Sequence, residues 1–186
     1  MRALPCWLAT GALLGGAAGA ARADDERALS VTASYAAFST VGVNEDPSLP
    51  GPALASDRGA GLTLAYERML GTDFGLRAEL TGGVFHGGAQ MDQSTTSYAG
   101  VADVALVARL DILKYVPYGF AGVGGVVTRG GPLPGGADLV LVLGGGVDDL
   151  LSRSRSLGLE VRVASFAGDV TVVTAGVRGT LRWGFF

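Results

Sequence analysis

An eight-stranded antiparallel transmembrane β-barrel is the fold this sequence predicts, on three grounds. The chain of 186 residues is 48% hydrophobic and only 17% charged, with a mean hydropathy of +0.38; soluble domains are roughly 25% charged. Beyond residue 23, no run of about 18 apolar residues appears, as a membrane helix would need. Instead, apolar and polar residues alternate with period two in one segment after another, the mark of strands with two different faces. The 31 glycines follow no G-X-Y period, which excludes a collagen-like chain. The hydrophobic content excludes disorder.

Residues 1–23 read as a secretory signal peptide: Met1-Arg2 is a short positive start, WLATGALLGGAA an apolar stretch, and Ala21-Arg22-Ala23 a small-x-small cleavage pattern. The rival is an uncleaved anchor, for which the stretch is too short and glycine-rich. Cys6 precedes the apolar stretch, so it does not read as a lipidation site. Removing Arg2 and Arg22 leaves 12 of the 14 basic residues against 17 acidic ones, a net charge of −5. A nucleic-acid binder would instead show a basic stripe. Residues 24–186 then form one domain without cysteine, so neither disulfides nor thiol chemistry are expected.

Eight segments carry the strand pattern: 28–41, 58–70, 74–86, 97–111, 116–128, 138–151, 157–166 and 170–186. In the second, Leu62, Leu64 and Tyr66 alternate with Thr63, Ala65 and Glu67. In the third, Phe74, Leu76, Ala78 and Leu80 alternate with Gly75, Arg77, Glu79 and Thr81. The fourth sets Val104, Leu106, Ala108 and Leu110 against Asp103, Ala105, Val107 and Arg109. The seventh sets Leu157, Leu159, Val161 and Val163 against Gly158, Glu160, Arg162 and Ala164. Most segments exceed the usual globular strand of about 5–6 residues and suit a tilted membrane strand of about 9–11. Connections 42–57, 86–96 and 129–137 are longer than 71–73, 112–115 and 152–156. Such alternation fits a barrel with one busy rim and one plain rim, although 167–169 is short where a longer loop is due.

Lipid offers backbone groups no partners, so only helices and closed barrels cross it. With apolar residues outward, Glu67, Arg77, Glu79, Asp103, Arg109, Glu160, Arg162, Arg178 and Arg182 face the lumen. Most fall in the half beside the short turns, as a salt-bridged plug would; scattered charges in a hydrated lumen are the alternative. Above them Ala36, Gly83, Phe85, Ala105, Val123 and Val127 are expected to line an apolar upper lumen. Tyr66, Phe74, Tyr115, Tyr118, Trp183 and Phe185 are expected at the periplasmic rim, and Tyr35, Phe38, Tyr98 and Phe166 at the outer one. Arg68 has lipid-facing parity beside a turn, where it would snorkel to headgroups.

Three stretches resemble the outer-membrane β-barrel family that includes the OmpA, OmpX and OmpW types. Residues 117–124 (PYGFAGVG) are similar to a PY-x-x-x-G-x-G strand of OmpW-like barrels. Residues 144–163 (GGGVDDLLSRSRSLGLEVRV) resemble the family's penultimate hairpin. The aromatic end, with Trp183, Phe185 and Phe186, is similar to the signal read by the barrel-assembly machinery, which the resemblance implies as a biogenesis partner. The apolar parity runs through Val177, Leu181, Trp183 and Phe185 and not to Phe186, a departure in register.

Catalysis is weighed at His86, the sole histidine, near Asp92, Ser94 and Ser97. Gly87-Gly88 follows it instead of the His-x-Ser pattern of deacylase barrels, so no enzyme is expected. Asp148-Asp149 and Glu45-Asp46 lack further ligands, so no metal is expected. The glycine runs lack a Walker lysine, so no cofactor is expected, and glycine reads as close packing in a small barrel. The expectation is a monomer in outer-membrane lipid of a Gram-negative-type cell, structural or a narrow passive route for small apolar molecules. A surface adhesion role through loops 42–57, 86–96 and 129–137 is the alternative. A secreted lipocalin would need more charge to coat its exterior.

Overall fold

The computed structural model describes residues 26–41, 48, 53–87, 96–110, 114–130, 136–166 and 170–184, with the side chains of 40, 41 and 53–57 excepted. The expected leader, most of the loops 42–57, 86–96 and 129–137, the pair Glu45-Asp46, and Phe185 and Phe186 lie outside the described residues. Eight strands run β1 (Arg27–Val41), β2 (Ala53–Met69), β3 (Phe74–Gly87), β4 (Thr96–Arg109), β5 (Tyr115–Arg129), β6 (Gly136–Ser152), β7 (Arg155–Phe166) and β8 (Val170–Trp183). They close into a barrel in chain order, every neighbour antiparallel. Closure runs from Arg27↔Trp183 to Ser39↔Thr171, so no strand edge is left unpaired.

All eight segments are strands, and the differences lie at their ends. The second begins at Ala53 rather than 58, because β1 pairs with it there (Ser39↔Ala55, Thr40↔Leu54, Val41↔Ala53) after a register shift. That pairing is made by backbone groups, and the residues ALASD carry no alternation to announce it. The rim at the short connections is tied by hydrogen bonds between turns and neighbouring strands. Met69 N donates to Glu26 O (2.9 Å), Arg109 N to Asp73 O (2.7 Å), Leu150 N to Lys114 O (2.9 Å) and Arg182 N to Ser154 O (2.9 Å).

Side-chain parity sorts the chain into an apolar outside and a mixed inside. Leu62, Leu64, Leu80, Leu106, Leu141, Leu143, Leu159 and Val177 are exposed on the barrel wall. Left in water, each such side chain would forgo roughly 1.5–3 kcal/mol of burial. The wall therefore demands an apolar surrounding, and the architecture is that of a transmembrane β-barrel.

Two expectations of facing are corrected. Val123 and Val127 point outward, each 61% exposed, and do not line the lumen. Tyr118, Phe38 and Phe166 are buried inside and belong to no aromatic girdle. In β5 both parities are apolar, so alternation could not assign its faces; Gly122, Gly124 and Val126 take the inward places beside Val123 and Val127. Tyr66, Phe74, Tyr115 and Trp183 do face outward near the rim of short turns, as Tyr35 and Tyr98 do toward the other.

A charge placed on the wall should report its depth. Leu143→Arg, mid-strand in β6, is expected to cost about 2–4 kcal/mol in denaturant unfolding from lipid vesicles. Leu157→Arg, beside the turn into β7, should cost no more than about 1 kcal/mol. Equal costs at the two positions would contradict a membrane around the wall.

Candidate functional site: a braced lumen floor

The nine charged residues singled out by parity all lie buried inside the barrel. Each stands on the strand half nearest the short turns or at its upper boundary, and each is held by a partner on another wall. Arg77 on β3 is wholly buried and reaches three carboxylates. Its guanidinium contacts Glu79 on its own strand, Glu160 Oε2 on β7 at 2.7 Å and Glu67 Oε1 on β2 at 3.3 Å. Strands β3 and β7 are opposite in a ring of eight, so the Arg77–Glu160 pair spans the barrel. Arg178 on β8 donates to Glu67 Oε1 at 2.5 Å, and Arg162 on β7 crosses to Asp103 Oδ2 on β4 at 2.6 Å.

Aromatic rings fill the space that the charges leave. The Phe120 ring centroid lies 4.0 Å from the Arg77 guanidinium carbon and that of Tyr118 lies 4.5 Å from the Arg178 guanidinium carbon. The Tyr118 hydroxyl donates to Glu160 Oε2 at 2.9 Å. These rings fit because the neighbouring strand offers glycine. A Cβ on Gly146 would stand 2.6 Å from Tyr118 Oη, and a Cβ on Gly144 would run into the Phe120 ring.

Below this layer a second cluster carries two carboxylates that sequence reasoning left out of the network. Glu26 Oε2 accepts from Arg109 at 2.7 Å, and Asp148 Oδ2 accepts from Arg182 at 2.8 Å and from Ser156 at 3.1 Å. Asp148-Asp149 is split by strand parity: Asp148 turns inward, while Asp149 pairs with exposed Lys114 at 3.2 Å. The two carboxylates therefore cannot share a metal. A doublet of acids in a strand necessarily puts one inside, which was the available signal for Asp148. Glu26 shares the parity of Ala28, Ser30 and Thr32, all buried.

Among the described residues the floor sets six carboxylates against five guanidiniums. Such near-balance creates no strong field to draw ions of either sign. Above it Phe38 and Phe85 meet edge to face at 5.4 Å, with Val126, Val140, Phe166 and Val172 packed in the same cluster. Between floor and cluster is a cavity of about 30 Å³, lined by Phe85, Phe166, Val101 and Val172, with Thr81, Thr174 and Arg162 also on its wall. It has room for a water or two, far below the ~300–1,000 Å³ of a usual ligand site. His86 and Ser97 form no catalytic pair: His86 has outward parity on β3, whereas Ser97 is buried inward on β4. Asp92 and Ser94 lie outside the described residues.

Fold and floor together define a small transmembrane barrel with a filled interior. No protein-family model matches the chain, and no curated protein matches it in sequence. Among solved structures it is similar to Ail, the attachment invasion locus protein of Yersinia pestis, seen in complex with the heparin analogue sucrose octasulfate. That match has a TM-score of 0.58 and 15% identity, covering 86% of this chain and 99% of that one. Neisserial surface protein A gives 0.58 and 14%, covering 84% and 97%. The outer membrane protein OprG of Pseudomonas aeruginosa gives 0.57 and 10%, covering 87% and 98%. At these identities the likeness is one of fold.

Removing one partner should expose what the floor contributes. Arg77→Met takes one cationic partner from each of three buried carboxylates and is expected to cost about 3–5 kcal/mol. Lys114→Met breaks an exposed pair with Asp149 and an exposed contact with the Tyr115 ring and should cost no more than about 1 kcal/mol. Urea unfolding in vesicles separates the two. In the same assay Gly146→Ala should cost about 1–3 kcal/mol through overpacking, since its Cβ would run into the Leu159 carbonyl oxygen as well as Tyr118 Oη.

Proposed function

We propose that the chain is an outer-membrane protein of a Gram-negative-type cell, a structural, non-catalytic barrel closed to ions and hydrophilic solutes. The observation that carries this reading is the floor, where Arg77–Glu160 braces opposite strands and Arg162–Asp103 links strands three apart across the lumen. An eight-stranded interior is just wide enough for side chains to fill, and here charged groups fill the lower half and aromatic and branched residues the upper. The apolar wall and the fold shared with OprG support the location. The rim of short turns, which also holds the start of β1 and the end of β8, is assigned to the periplasm, where such barrels carry short turns.

The test is conductance. Reconstituted in planar bilayers as a folded, heat-modifiable protein, the barrel is expected to give no stable current steps. Liposomes containing it should not swell in sugars or salts. Reproducible ohmic openings would overturn the reading.

A further inference from the structure

The outward-facing residues at the rim of short turns hold a feature the lumen does not explain. Arg27 on β1 and Arg68 on β2 are directly opposite in register, and both have outward parity. Trp183 on β8 is the other partner of Arg27, so Trp183, Arg27 and Arg68 form one row across three strands. Tyr66 lies two residues up β2 from Arg68, about 7 Å along the strand. Its ring meets that of Trp183, centroids 6.4 Å apart, above the β1 strand between them. Two arginines thus stand on neighbouring strands at the edge of the apolar wall, beside a pair of amphipathic rings.

Among the described outward and turn residues of this rim stand Arg27, Arg68, Arg153, Arg155 and Asp73, and Lys114 pairs with Asp149. Two arginines on the lipid side of a barrel are costly at the midplane and tolerated at the interface. There the guanidinium meets phosphate and accepts bidentate geometry, while Trp and Tyr settle at headgroup level. Each guanidinium has five N–H donors, so Arg27 and Arg68 can keep their present interactions and still donate to an added phosphate.

We infer that Arg27 and Arg68, with Tyr66 and Trp183 above them, form a binding site for the headgroup of an anionic phospholipid in the leaflet at the short-turn rim. The phosphodiester bridges the two guanidiniums and the glycerol region rests on the rings. The inference builds on the membrane reading above, but not on the lumen being closed.

Native mass spectrometry of the full chain, folded with equal phosphatidylglycerol and phosphatidylcholine, is the experiment. The wild type should retain phosphatidylglycerol preferentially. Arg27→Gln with Arg68→Gln should lower that preference by roughly fivefold per arginine, the effect of one basic residue at an anionic surface. Arg58→Gln, exposed near the other rim, should leave it unchanged. Inorganic phosphate in excess should not displace the lipid, because the rings hold its glycerol region. Equal retention of the two lipids by the wild type, or an undiminished preference in the double variant, would overturn the site. Each variant is first shown to be folded in vesicles by its heat-dependent gel mobility. Loss of that mobility shift in the wild type would instead sink the membrane barrel itself.

Discussion

Arg77 sits where the requirements of this molecule converge. Its guanidinium is shut away from solvent, and a charge so placed is tolerable only if surrounded by carboxylates and hydrogen bonds. Glu67, Glu79 and Glu160 supply them from β2, β3 and β7, so one side chain ties three strands of a closed ring. Break it and each of those carboxylates loses a partner inside a narrow lumen. Strand number and stagger set the radius of the barrel, and the bridges hold opposite sides of the lumen together at that radius.

Glycine is the counterpart of that bracing. Large inward residues and inward glycines are complementary across neighbouring strands: Tyr118 and Phe120 on β5 lie over Gly146 and Gly144 on β6. The same relation places Asp103 against Gly124 and Ala105 against Gly122. The high glycine content follows from a lumen that must hold arginines and rings within the smallest closed sheet. Glycine in a strand normally weakens it, and here the cost is offset by the room that each missing Cβ leaves for a stacked ring.

The two faces of the wall answer to different solvents. Outside, leucine and valine meet hydrocarbon, and arginines are confined to ends where headgroups begin. Inside, charges are numerous and face one another in ion pairs across the lumen. This inversion of the soluble plan, apolar out and charged in, makes a chain of modest charge and high hydropathy stable without any apolar run.

The period-two pattern by itself determined the number of strands, the faces of β2, β3, β4 and β7, and the inward side of all nine charged residues. Alternation encodes facing directly, because a pleated strand turns successive side chains to opposite sides. Where both parities are apolar, as in β5, the pattern is silent, and only packing against Gly144 and Gly146 decided that Tyr118 and Phe120 point inward. Only the closed register decided which arginine meets which carboxylate, because partners such as Arg77 and Glu160 lie 83 residues apart. It also drew Glu26 and Asp148 into the floor. One precedes the first alternating segment and the other hides in an acidic doublet, so neither stood out until the walls were brought together.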